Sequence, residues 1–441
     1  MYLKPVLKSI KRQIRRSRSR LFSFRQWKIR LVFWGGALTV GVVSSLFAIG
    51  SEHAEHFFRQ LLTFSPYLPL LLTPLGLIAV SWITRRYFAG AEGSGIPQSI
   101  AAMQVGGSHT AQRAILSIRI ALGKILLTIV GLMSGASIGR EGPTVHIGAA
   151  IMYSLGHLGR FPSHYLERGM ILAGGASGIA AAFNTPLAGI MFAVEEMGRS
   201  FDKRTGSIVL TAVVLSGLTS LAILGNYNYF GSTSVSLELG HAWLAVPVCG
   251  VVGGLLGGLF SSGLINGQKR IRPLYLKHPF IVAGTCGLII AILGLISGSS
   301  SYGTGYEEAK LILAGDNDLP LLYPLWKALA TLSSYFSGIP GGIFAPSLAT
   351  GAGIGAILSH ALTSIPMEAV IILGMVAYFS GVVQTPITAF IIVMEMTDNQ
   401  SLIIPLMATS LIASGTARLV CSTPIYQAMA ETFIQSMKTT K

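Results

Sequence analysis

The chain has 441 residues, 51% of them hydrophobic and 11% charged, with a mean hydropathy of +0.63. A soluble domain carries about a quarter of its residues as Asp, Glu, Lys or Arg, so a globule surrounded by water is excluded. Long apolar runs without alternation exclude a β-barrel too, which leaves helices that satisfy their own backbone in lipid.

The net charge of +15 is concentrated at the start of the chain. Residues 1–30 hold eleven of the 32 basic side chains and none of the 17 acids, leaving +4 for the rest. The run Lys8-Ser9-Ile10-Lys11-Arg12-Gln13-Ile14-Arg15-Arg16 precedes the first apolar segment. Positive charge beside a first span is retained on the cytoplasmic side and attracts anionic lipid. Residues 1–30 are therefore read as a basic cytoplasmic segment, with no nucleic-acid partner. The basic region is too long for a cleavable signal peptide, and no small-residue cleavage site follows promptly.

Leu31 to Gly50 is the first uncharged run, long enough to cross a hydrocarbon core of about 30 Å as a helix. His53 and His56 follow without further ligands beside them, so no metal site is expected there. Gly93-Ser94-Gly95-Ile96-Pro97 is the first Gly/Pro break, followed by an apolar stretch containing Arg119 and Lys124. Gly139-Arg140-Glu141-Gly142-Pro143 is the second break, and Glu195-Glu196 closes the next apolar region. Pro279 to Tyr306 is uncharged, and a further uncharged stretch from Ala328 to Pro366 holds the third break, Gly342-Ile343-Phe344-Ala345-Pro346. A straight spanning helix does not tolerate this density of glycine and proline. Two helices meeting inside the membrane do, provided protein or a water-filled cavity satisfies the broken backbone. Cys249, Cys286 and Cys421 are isolated and form no disulfide framework. Glycine runs such as Gly351-Ala352-Gly353-Ile354-Gly355 lack a βαβ context and read as helix packing.

An internal repeat runs through these segments. Thr185-Pro186-Leu187 returns as Thr385-Pro386-Ile387, and Glu195 returns as Glu395, both 200 residues on. Pro143 and Pro346 lie 203 apart. Paired Gly/Pro breaks in two halves mark a repeat-built transporter with its site at the repeat interface. Repeat 1 is placed at about 31–225 and repeat 2 at about 241–437, together forming one transport domain over 31–437. The chain ends soon after its last apolar segment, and no sizeable regulatory domain is expected.

Each break has glycines, then a proline, then an apolar stretch of helical character. Glycine lets backbones approach closely, and proline favours the first turn of a helix. Three helix N-termini aimed at one point bind an anion through unpaired N–H groups and partial positive charge. A carboxylate such as Glu141 in the first turn of such a helix is held by the same field and competes with the anion. Acids at membrane depth are functional candidates. Glu195 has a repeat partner, whereas Glu196 falls opposite Met396. A directional proton path needs that kind of asymmetry.

In these segments the sequence resembles the CLC family of chloride channels and transporters. Gly93–Pro97, Gly139–Pro143 and Gly342–Pro346 match the family's three signature motifs in order. The stretches Glu195-Glu196-Met197, Glu395-Met396-Thr397-Asp398-Asn399 and Tyr426 after Pro424 match as well, so the resemblance spans about Leu31 to Ile434. It implies an all-α polytopic membrane protein of about seventeen or eighteen tilted, partly broken helices in two inverted-topology repeats. It also implies a homodimer with one pathway per subunit, most simply in a bacterial inner membrane, and a transporter with neither an enzymatic reaction nor a cofactor. By the same resemblance Ser94 and Tyr426 bind chloride through hydroxyls, and Ile343 and Phe344 through backbone N–H groups. Glu141 matches the external gate and proton acceptor, and Glu196 the internal proton-transfer acid. Lys124 matches a buried lysine; biasing the local field toward anions and snorkelling both remain open. Arg140 is expected to anchor its motif by pairing. Many exchangers carry an acid after the first motif's proline, and here that position is Gln98. The expected activity is Cl⁻/H⁺ exchange. The alternatives are a passive chloride channel on the same fold and, more remotely, a sodium-coupled solute carrier.

Overall fold

The computed structural model describes residues 24–105, 108–158, 165–198, 203–225, 229–315 and 319–439. The basic run at residues 8–16, together with Asp316 and Asp318, lies outside them. The first half runs α1 (Phe24–Phe64), α2 (Pro69–Tyr87), α3 (Ile96–Gln104), α4 (His109–Ile115), α5 (Ile118–Met133), α6 (Glu141–Leu158) and α7 (Tyr165–Phe183). It continues with α8 (Pro186–Phe192), which passes into a π-helical turn (Ala193–Gly198), and α9 (Lys203–Leu224). The second half runs α10 (Ala245–Lys277), α11 (Pro279–Ile296), α12 (Tyr306–Leu313), α13 (Tyr323–Phe336), α14 (Phe344–Ala361), α15 (Met367–Val383), α16 (Pro386–Thr397) and α17 (Ile403–Val420). A final helix, α18 (Ile425–Thr439), follows. Among the described residues six helices are long and apolar enough to cross a membrane. Leucines such as Leu46, Leu126, Leu218 and Leu411 point outward from them, as a lipid-facing surface requires.

The protein is all-α, with two halves of inverted topology. The halves pack alike: α6 lies on α7 as α14 lies on α15, and α1 lies on α9 as α10 lies on α17. Glycines set the closest crossings. A Cβ on Gly148 would overlap the Gly174 carbonyl, and one on Gly351 or Gly355 would meet the α15 backbone. Lipid gives no hydrophobic drive between helices, so close backbone approach at small residues holds them together.

The repeat seen in sequence becomes a reciprocal pair of helix caps. The Glu195 carboxylate accepts hydrogen bonds from Ile387 N (3.1 Å), Thr388 N (2.7 Å) and Thr388 Oγ1 (2.8 Å) at the start of α16. Glu395 returns the arrangement, accepting from Leu187 N (3.1 Å) and Ala188 N (2.8 Å) at the start of α8. Each acid satisfies orphan N–H groups and sits in the positive end of the other half's helix. Glu195 is therefore architectural. We expect Glu195→Ala to cost about 1–3 kcal/mol, seen as a fall of several degrees in the unfolding temperature in detergent. Glu195→Gln should lose less, because its amide oxygen still accepts. An unchanged midpoint in Glu195→Ala would remove the cap from the account of stability.

Candidate functional site

Three broken segments meet at the repeat interface. The third is stitched to the other two: Gly341 N donates to Gly93 O (3.2 Å) and Gly93 N to Ile339 O (3.1 Å). Gly139 N donates to Gly342 O (2.8 Å) and Gly342 N to Gly139 O (2.6 Å). These short bridges bring the first turns of α3, α6 and α14 together. Gly95 caps α3 in the left-handed region (φ 102°), a conformation that a side chain disfavours. At Gly142 the constraint is space, since a Cβ would overlap Ser94 Oγ. Pro97 falls in the first turn of α3, while Pro143 and Pro346 are the third residues of α6 and α14, where the absent N–H costs no helical bond.

Ser94, Ile343, Phe344 and Tyr426 are brought together in this interior. Ser94 and Tyr426 are fully buried, and neither hydroxyl makes a hydrogen bond of standard geometry to a protein group among the described residues. Glu196, Tyr335, Glu141 and Ser94 all bear electrostatically on the Tyr426 phenol. Its ring lies 5.7 Å from Phe344, which also contacts Phe183, Phe192 and Phe379 at 4.8–6.4 Å. Ile343 caps α14 and Phe344 opens it, so their N–H groups belong to the end that has no intrahelical acceptor. Two neutral hydroxyls and a helix end in an aromatic setting suit a partly dehydrated halide, with no full positive charge to trap it.

Glu141 opens α6 and is fully buried. Its Oε1 accepts from the Tyr306 hydroxyl at 2.6 Å, and the amides of Glu141 and Ala345 face the carboxylate. The carboxylate thus sits where two helix N-termini converge, in a place that would equally suit an anion. Arg140 is tied to α1: Nη1 donates to Ala48 O (2.7 Å), and both Nη atoms lie 3.2 Å from Glu52 Oε1. Its guanidinium lies 5.3 Å from the Tyr229 ring and 5.9 Å from that of Tyr306. A cavity of about 280 Å³ opens beside this group, reaching Glu52, Glu55, Arg140 and Tyr306.

Glu196 lies apart from that cluster, in the π-helical turn, and is buried. It lines a cavity of about 330 Å³ with Arg168, Gln104 and Gln427. Gln427 follows Tyr426, so this cavity lies beside the segment that carries the phenol. A further cavity of about 290 Å³ is lined by Gly93, Gln98, Arg272 and Tyr335. It touches the C-terminal part of α10, whereas the cavity beside Glu141 touches that of α1.

Two lysines complete the frame. Lys124 is fully buried and donates to the carbonyls of Ala91 (2.8 Å), Glu92 (3.3 Å) and Gly93 (2.9 Å). It does not snorkel. Lys327, 203 residues on, donates to Ser301 (3.2 Å), Tyr302 (2.8 Å) and Gly303 (2.8 Å). Each ammonium gathers carbonyls of the turn ahead of α3 or α12 and leaves the helix end to present N–H groups. Lys327 and Tyr306 join this frame although the motifs alone do not single them out. A signal for them does exist, since Gly303-Thr304-Gly305-Tyr306 repeats Gly93-Ser94-Gly95-Ile96 at an offset of 210.

Comparisons with known proteins bear on the family and the fold. The family described as Voltage gated chloride channel matches residues 75–418. The H(+)/Cl(-) exchange transporter ClcA of Vibrio vulnificus (strain YJ016) is 32% identical over 431 residues, covering 91% of this chain and 90% of the relative. The protein of the same name from Citrobacter koseri is 30% identical over 422 residues, covering 88% and 86%. Among solved structures, a slow cyanobacterial Cl-/H+ antiporter superposes with a TM-score of 0.81 at 25% identity, over 92% of this chain and 98% of the other. A CLC-type fluoride/proton antiporter shares the fold, with a TM-score of 0.77 at 23% identity over 92% and 99%.

Proposed function

The chain belongs to the voltage-gated chloride channel family, and on that premise we propose that it exchanges chloride for protons across a membrane. The observation that carries this reading is the pair of buried acids flanking one anion-suited interior. Glu141 occupies converging helix ends beside one cavity, and Glu196 lines another that also touches Gln427, next to Tyr426 in the chain. Chloride is held by the hydroxyls of Ser94 and Tyr426 and by the N–H groups of Ile343 and Phe344. Gly93, Gly95, Pro97, Gly139, Arg140, Gly142, Pro143, Gly342, Ala345 and Pro346 shape the helix ends that surround it. Glu141 is the external gate: as a carboxylate it fills the anion's place, and once protonated it leaves. Glu196 passes protons from the cytoplasmic side.

The transport domain spans 31–437, with repeats over about 31–225 and 241–437, and it catalyses no chemical conversion. The protein works as a homodimer in a bacterial inner membrane, with its basic N-terminal segment in the cytoplasm. A sodium-coupled carrier would need cation-coordinating oxygens at the helix breaks. Here the breaks present hydrogen-bond donors, which favours an anion.

Purified protein in liposomes loaded with chloride tests the reading, with chloride efflux and internal pH followed together. We expect outward chloride flow to pull protons inward against their gradient. Chloride efflux with no proton movement would replace exchange by the channel reading, and no chloride flux would overturn both.

A further inference from the structure

The first and second halves each carry a Gly-x-Gly turn leading into a short helix, but the two helices end differently. Gly95 and Gly305 both cap in the left-handed region (φ 102° and 87°), and each preceding turn is gathered by its own buried lysine. In the first half the helix that follows, α3, has no acid in its opening turn and begins directly after Ser94 and its Gly95 cap. In the second half α12 opens with Tyr306, Glu307 and Glu308. Two acids in the first turn oppose the attraction of that helix end for an anion. Instead, the helix delivers a phenol to the Glu141 carboxylate.

That phenol is firmly placed. Its ring lies 4.5 Å from Tyr229 and 5.7 Å from Phe230, and Phe230 N is tied to Met396 O at 3.0 Å. The Arg140 guanidinium lies over the same ring, itself bonded to Ala48 O and Glu52. The O···O distance of 2.6 Å falls in the range of a hydrogen bond from a hydroxyl to an ionised carboxylate, about twice as strong as a neutral one. We infer that Tyr306 is a latch that holds the Glu141 carboxylate in the anion's place, and so sets how readily chloride displaces it. The inference rests on the reading of Glu141 as chloride's competitor. A protonated carboxyl accepts more weakly than a carboxylate, so the latch loosens in the same step that frees the gate. Tyr306 is a positioning residue, and it acts on chloride only through Glu141.

A double-mutant cycle on equilibrium chloride binding tests this, with potassium chloride titrated into the full-length protein in detergent and followed by calorimetry. Tyr306→Phe keeps the ring and removes the hydroxyl. It should tighten apparent chloride binding by about ten- to a hundred-fold, the worth of a hydrogen bond to a charged group. Glu141→Ala should tighten binding on its own, and in that background Tyr306→Phe should change nothing further. A merely structural tyrosine would shift binding equally in both backgrounds, and that outcome overturns the latch. So does unaltered affinity in Tyr306→Phe alone. If Glu141→Ala leaves chloride affinity unchanged, the gate reading itself fails, and the latch falls with it.

Discussion

Glu141→Gln should abolish coupled proton movement while chloride continues to pass. Glutamine has the shape of the acid without its charge, so the converging ends of α6 and α14 no longer hold it against chloride. It carries no exchangeable acid proton either. Positioned proton transfer contributes roughly a hundred- to ten-thousand-fold to a rate, so the chloride-driven proton flux should fall by about a hundred-fold or more. Proteoliposomes with chloride and pH electrodes read both quantities in one experiment. Proton pumping that survives in Glu141→Gln would exclude this residue from the mechanism. A parallel loss of chloride flux would point to a damaged site, since Ser94, Tyr426 and the α14 end are untouched by the change.

A second loss of similar size is expected at Glu196. Protons crossing the membrane need a titratable group between the cytoplasm and the central site. Phe183, Phe192, Phe344 and Phe379 surround that site with rings that cannot carry one. Glu196 lines a cavity next to the Tyr426 segment, buried but reachable. Glu196→Gln should therefore stop chloride-driven proton movement, again by roughly a hundred-fold or more, with chloride flux retained. Glu195→Gln makes the same change in charge one residue away and should leave coupling intact, because Glu195 is engaged in capping α16. A nonspecific effect of surface charge would act on both alike. Uncoupling by Glu195→Gln alone would reverse the assignment of the doublet.

Much of this site is legible in the order of residues along the chain. Glycine and proline act on the backbone where they stand, so the breaks at 93–97, 139–143 and 342–346 announce interrupted helices directly. The 200-residue echo separates Glu195 from Glu196 correctly as far as architecture is concerned, and the reciprocal caps give the reason. The direction of those caps is not legible, since each acid reaches into the other half. Lys124 illustrates the difference. Its local sequence leaves open a field-setting charge or a snorkelling chain, and its carbonyl partners lie 31–33 residues away in a turn.

Composition, uncharged runs and paired breaks by themselves determined that this is a helical membrane protein, built as a repeat of interrupted helices. Those properties depend on solvation and backbone preference, which each short segment expresses alone. Tertiary structure alone decided what each charged or hydroxyl group meets. Tyr306 reaches Glu141 across 165 residues, and Lys327 gathers three carbonyls 24–26 residues back along the chain. Such encounters follow from how the two inverted halves interlock. Buried in lipid-facing helices, a polar group must find its partner inside the protein, wherever in the chain that partner lies.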